Sequence, residues 1–216
     1  MTQGQTLWEM LQAKLHGKPP AAPIEFYNPL NHAIGDPVLV AEPGAAYENF
    51  NFSVQSILET DRAIGQQIFK FTDYVLGGTN ANGDKATLRL RCVPNTIGGG
   101  DKILLALADE FKFDPGFLEV LNDASGQFNI TDDESQQTEG FERINGTSGS
   151  YATVVRVMTL TKAGVCAAPD QEQHFHGEYW DYWRETPPAS VKEFVFIELN
   201  ADTGWFQIWR GREYVE

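Results

Sequence analysis

His174, His176 and Glu178 stand two residues apart in the segment His174-Phe175-His176-Gly177-Glu178. On a β-strand, residues at that spacing project from one face. Two imidazoles and a carboxylate would then meet as three ligands of a divalent cation such as zinc, iron or manganese, with a position left open for water or substrate. A fourth protein ligand would have to come from Asp181, Glu185 or Cys166. Trp180, Tyr182 and Arg184 continue the same row and are the candidate binding residues beside it.

The spacing resembles the start of the metal-binding motif of cupins, a β-barrel family in which a His-x-His pair is followed by a Glu. The resemblance spans five residues. The second cupin motif, with its Gly, Pro and later His, has no counterpart downstream, and no histidine follows His176. The remaining histidines, His16 and His32, lie near the N-terminus. The competing reading is a polar strand face whose histidines hydrogen-bond to neighbours or water. Short His-x-His strings are commonly that, and the reading requires no cofactor.

Aromatic density is the second feature. Tyr179, Trp180, Tyr182 and Trp183 fall in one stretch, and Trp205, Phe206 and Trp209 in another. On adjacent strands they could line a groove for a sugar, an apolar ligand or a peptide, because aromatic faces give contact area at low entropic cost. Trp205 and Trp209 share one face of their strand while Phe206 and Ile208 share the other, a pattern that packing from both sides also produces. No G-x-S-x-G elbow, G-x-x-x-x-G-K-[ST] loop or G-x-G-x-x-G turn is present. Adjacent acids such as Asp109-Glu110 and Asp132-Asp133 would point to opposite faces of a strand and solvate the surface.

These residues need a β framework, and the chain has the patterning for one. Ala86, Leu88, Leu90 and Cys92 alternate with Thr87, Arg89, Arg91 and Val93, which predicts a half-buried strand. With the β-branched and aromatic run 67–76 upstream, and a loop rich in Gly and Asn over 77–84, it reads as a hairpin. Phe194 to Leu199 and Trp205 to Arg210 flank the connection Asn200-Ala201-Asp202-Thr203-Gly204 and make a second hairpin. Further strands are expected at 53–58, 103–113 and 151–161, a short helical turn from Asp114-Pro115 to Leu121, and a polar loop over 132–150. The expected fold is mainly β: an antiparallel barrel, sandwich or strongly curved sheet.

Ahead of the β body, Thr6-Leu7-Trp8-Glu9 fits a capping box. Leu7, Leu11 and Leu15 then recur at helical spacing before Gly17 and Pro19-Pro20, predicting a helix over 6–16 that covers the core or pairs with a second copy. The expected organisation is a helix and proline linker over 1–23, then a β-rich domain over 24–216, with Gly98-Gly99-Gly100 a candidate divide between two lobes near 97–101.

Composition narrows the partners. Sixteen Lys and Arg against thirty Asp and Glu give a formal net charge of −14, which repels phosphate backbones and anionic headgroups. Nucleic acid and membrane surfaces are therefore excluded as expected partners. No apolar run approaches the ~20 residues of a membrane helix, and no basic segment leads into an apolar one at the N-terminus, so a cytoplasmic location is expected. Cys92 and Cys166 are too few for a disulfide framework and read as buried thiols. The leading expectation is a non-catalytic ligand-binding or protein-interaction module with no cofactor. The alternatives are a metal-dependent enzyme using the His-x-His-x-Glu row and a structural subunit that self-associates through the N-terminal helix.

Overall fold

Aromatic and β-branched residues dominate the segments between the Gly- and Asn-rich turns, and such side chains pack best on a pleated surface. A computed structural model describes residues 29–40, 47–64, 67–93, 102–131, 136–144, 151–158, 173–186 and 191–214. The strands are β1 (Pro37–Val38), β2 (Asn51–Ile64), β3 (Gln67–Thr79), β4 (Lys85–Cys92), β5 (Lys102–Lys112), β6 (Gln127–Thr131), β7 (Thr138–Arg143), β8 (Tyr151–Met158), β9 (Gln173–Thr186), β10 (Val191–Asn200) and β11 (Trp205–Glu213), with one helix among the described residues, α1 (Pro115–Leu121).

The eleven strands belong to one sheet in the order β1-β2-β3-β4-β5-β11-β10-β9-β7-β6, and every pairing is antiparallel. β8 lies off that path and pairs with β2 on one side and β9 on the other. As a result β2, β3, β4, β5, β11, β10, β9 and β8 each pair with a strand on either side over part of their length. The strands on either side of 97–101, β4 and β5, pair directly with each other.

Both expected hairpins are present. In the first, β3 runs on to Thr79, leaving only Asn80 to Asp84 as the turn, where Asn80 Oδ1 accepts from the amides of Asn82 and Asp84 at 3.0 and 2.9 Å. Gly77 and Gly78 therefore belong to the strand and not to the loop. A side chain at Gly78 would meet the ring of buried Phe52, whereas one at Gly77 would meet only the exposed Gln55 side chain, at the irregularity between Val54 and Ser56. In the second, Asn200 Oδ1 accepts from Asp202 and Thr203, both at 3.0 Å, and Gly204 takes φ of 70°. The helical turn is capped by Asp114, whose carboxylate accepts from Gly116 at 2.7 Å and Phe117 at 3.3 Å.

The expected loop over 132–150 needs correction, since it contains β7, which pairs with β6 and touches β9. Thr138-Glu139-Gly140-Phe141-Glu142-Arg143 carries a single large apolar residue, so its alternation is almost invisible. That residue, Phe141, is fully buried.

Apolar clusters clothe both faces of the sheet. Ile57, Tyr74, Leu76, Leu88, Leu90 and Cys92 form one, against which Leu30, Val38, Val40 and Tyr47 pack. Trp180, Tyr182, Val195, Ile197 and Phe206 form a second beneath α1 and the β6–β7 hairpin, contributed by Leu121, Phe128 and Phe141. The third lies on the opposite face of both groups of strands and joins Phe71, Ile103, Leu105, Tyr179, Phe194, Phe196 and Trp209. This inner cluster corrects the expectation of a half-buried β4: Arg89 and Arg91, on its supposed solvent face, are 6% and 1% exposed. Phe206 and Trp209 are likewise buried on opposite faces of β11.

The helix expected over 6–16 and the linker to residue 23 lie outside the described residues, as does the self-association proposed for that helix. Cys166 lies outside them too, while Cys92 is a buried thiol. Among the described residues no helix is long and apolar enough to cross a membrane.

Candidate functional site

The inner face carries charge deep inside it. Asp73 on β3 and Arg91 on β4 are register partners, and Arg91 Nε and Nη2 donate to Asp73 Oδ1 and Oδ2 at 2.8 and 2.7 Å. Arg91 Nη2 also donates to Glu198 Oε1 on β10 at 2.9 Å, and Arg89 Nη1 reaches both Glu198 oxygens at 2.8 Å and Asp73 at 3.4 Å. Arg91 further hydrogen-bonds to the Tyr179 hydroxyl. The guanidinium of Arg89 lies 3.8 Å over the Trp209 ring, and that of Arg91 lies 4.2 and 4.5 Å over Phe71 and Phe196. Two arginines and two carboxylates thus neutralise one another on an aromatic bed.

Electrostatics lock these groups in their charged forms. Burial would lower the Arg91 pKa, but the field of Asp73, reinforced by Tyr179 and Glu198, raises it well above the ordinary arginine value. Burial would raise that of Glu198, but Arg89 and Arg91 hold it below the ordinary glutamate value. Neither group is placed to exchange a proton near neutral pH.

Above this quartet the inner face opens into a cavity of about 440 Å3, within the size range of small-molecule sites, about 300–1,000 Å3. Asp73, Arg89, Glu198 and Tyr179 supply one end of its wall, with Leu58 and Thr60 of β2 beside them. The register aligns Tyr179, Glu198, Gln207 and Glu110 across β9, β10, β11 and β5, and all four line the cavity. Gln207 donates to Glu110 Oε1 at 2.8 Å. One row outward, Gly177, Asn200 and Trp205 are aligned and line it as well, together with Glu178 and Thr203. Trp205 is 36% exposed.

The residues singled out from the sequence are distributed differently. Trp180 is fully buried in the outer cluster, its Nε1 donating to Asn122 Oδ1 at 3.2 Å. Tyr182 is 1% exposed; its hydroxyl accepts from Arg143 Nη1 at 2.9 Å and donates to the Leu121 carbonyl at 3.4 Å. Arg184 donates to Glu193 at 2.6 Å and Glu139 at 2.7 Å and lies 4.8 Å over Phe141. Tyr182 and Arg184 therefore hold β7 to β9 and β10, and Trp180 holds the end of α1 to β9. Of the four whose side chains are described, Glu178 is the one beside the cavity, and alternation sets its side chain on the face of Trp180 and Leu199.

His174 and His176 occupy β9 opposite Arg156 and Val154 of β8; their side chains lie outside the described residues. Strand alternation sets Asp181 and Glu185 on the face opposite Glu178. Asp181 is buried there, with Glu185 exposed. Among the described residues no group of three or more His, Cys, Asp or Glu side chains could hold a metal ion.

Sequence reasoning passed over Arg89, Arg91, Asp73 and Glu198. A signal for them existed, since each interrupts an otherwise apolar strand: Asp73 in Phe71-Thr72-Asp73-Tyr74-Val75, Glu198 in Phe196-Ile197-Glu198-Leu199, and Arg89 and Arg91 between Leu88, Leu90 and Cys92. A charge inside such a run must find a partner or reach water. The chain matches no protein-family model, and neither the curated proteins nor the solved structures include one significantly similar to it.

Proposed function

We propose that this protein binds a small organic molecule in the inner cavity of its antiparallel sheet, without transforming it. The observation that carries the reading is the cavity of about 440 Å3 built on a self-neutralised quartet, in which Asp73, Arg89 and Arg91 are buried and Glu198 is partly exposed. A fixed polar end, apolar Leu58 and an aromatic rim at Trp205 are what a ligand site uses to orient a molecule and cover its carbon surface. The described lining contains no cysteine, histidine, lysine or serine, and its arginine and Glu198 are committed to each other, which favours binding over covalent or acid–base chemistry. A cytoplasmic binding protein with neither nucleic acid nor membrane as partner fits the net charge of −14.

Dansylamide, a neutral fluorophore small enough for the cavity, tests this. Saturable one-to-one binding is expected, with energy transfer from tryptophan, and Thr60→Trp, which fills the space beside the quartet, should abolish it while leaving cooperative thermal unfolding intact. Absence of saturable binding to the parent protein, or undiminished binding to a folded Thr60→Trp variant, overturns the proposal.

A further inference from the structure

One donor in the cavity wall has no partner among the described residues. Arg89 gives only Nη1 to the quartet, to Glu198 and Asp73, and its guanidinium lies 3.8 Å over the Trp209 ring. Among the described residues nothing accepts from its Nε or Nη2. Nε is sealed by packing. Nη2 is not sealed, and Arg89 borders the cavity, so Nη2 is the guanidinium nitrogen whose N–H bonds a bound molecule can reach. The hydroxyl of buried Thr60, in the same wall, is a second group with no hydrogen-bond partner among the described residues. We infer, resting on the cavity reading, that the ligand is a neutral carbonyl compound, such as an amide or a ketone, whose oxygen accepts from Arg89 Nη2 while its carbon body lies along Leu58 and the Tyr179 ring.

Hydrogen bonding favours that occupant over a hydrocarbon. A molecule that fills the cavity takes water away from Nη2, and one without an acceptor leaves a charged donor bare, which costs more than baring a neutral one. A carbonyl oxygen restores the bond, and bonds to a charged donor are the stronger kind. Charge balance favours it over an ion. Both arginines are already matched by Asp73 and Glu198, so a carboxylate would be a third negative charge against two positive ones. The two-point grip that a guanidinium gives a carboxylate along Nε and Nη2 is also closed, because Nε is enclosed. A cation would face Nη2 itself.

Three fluorescent probes separate the acceptor from the body. Prodan, a dimethylaminonaphthalene with a propionyl group, is a neutral ketone; the analogue with a propyl group in its place lacks the oxygen; the matching dimethylaminonaphthoate carries a carboxylate. Prodan is expected to bind about tenfold to a hundredfold tighter than the propyl analogue, the range of a hydrogen bond to a charged donor, and tighter than the naphthoate. The infrared stretch of its isotope-labelled carbonyl should fall below the frequency in cyclohexane, as it does when the oxygen accepts a hydrogen bond. In Arg89→Met/Glu198→Met, which keeps the Asp73–Arg91 pair and strands no charge, prodan should lose its advantage over the propyl analogue. Equal affinity of those two probes, an unshifted stretch, or an advantage that persists in the folded double variant overturns the Arg89 contact. The infrared reading decides that contact even if the double variant fails to fold. Tightest binding of the naphthoate overturns the neutral class, and binding of dansylamide without prodan overturns the carbonyl class; both leave the cavity reading standing. Failure of prodan and dansylamide alike removes the cavity reading and the class with it.

Discussion

Asp73 and Arg91 meet in a two-point pair across the β3–β4 ladder, each with a side chain only 1% exposed. Neither can rehydrate if the other is lost, so the cost of separating them exceeds the net value of the pair itself. Asp73→Ala is expected to lower unfolding stability by about 3–5 kcal/mol, read from urea denaturation. Asp73→Leu combined with Arg91→Met should cost less than the sum of the two single changes, because the double variant leaves no stranded charge between these two positions. Additive losses would show that the two residues act independently.

The acid response follows from Glu198. Its folded-state pKa lies below the ordinary value of 4.5 because Arg89 and Arg91 outweigh the effect of burial. A group depressed on folding binds more protons when unfolded, so its stabilisation is complete above the ordinary carboxylate range and is lost as pH falls through the folded value. Thermal unfolding from pH 7 to pH 3 should show Glu198→Gln melting below the parent at neutral pH, with the two curves converging in acid. A constant separation down to the lowest pH would assign the loss to packing and not to ionisation.

Much of the framework could be read from alternation and turn chemistry, since both depend on near neighbours in the chain. Asn200 to Gly204 and Asp114-Pro115 each contain the acceptors that their own turn uses. The cavity depends on distant residues instead. Alternation places Arg89 and Arg91 on one face of β4, but whether that face is wet depends on β10, and Glu198 stands 109 residues from Arg89. The surroundings of Trp180 and Tyr182 depend on distant residues in the same way. A shared face says which residues travel together, and only the packing of α1 and the β6–β7 hairpin decides that Trp180 and Tyr182 are enclosed by the protein's own side chains.

Close approach of β5 to β11 rests on Gly211. A methyl group there would overlap the Leu104 carbonyl oxygen and lie 2.7 Å from its carbon and 2.9 Å from the Leu105 Cα. Backbone cannot swing aside as a side chain can, so Gly211→Ala must push the strands apart next to the inner cluster. The expected loss is at least about 1–3 kcal/mol, with weaker dansylamide binding. Gly83→Ala is the control, since its site is open and only its φ of 87° is strained, and it should leave probe binding unchanged. Equal effects of the two substitutions on binding would refute the close-approach account.

Tyr182 separates a residue that supports the fold from one that contacts ligand. Its hydroxyl lies between Arg143 and the Leu121 carbonyl, under α1 and away from the cavity wall. Tyr182→Phe keeps the ring that stacks on Phe128 at 5.0 Å but takes a hydrogen-bond partner from a buried guanidinium, a loss of about 1–3 kcal/mol. Urea denaturation should register that loss, while dansylamide titration of the folded variant should give the parent's affinity. If instead the affinity falls with stability unchanged, Tyr182 belongs to the binding surface and the ligand site lies on the outer face of β9.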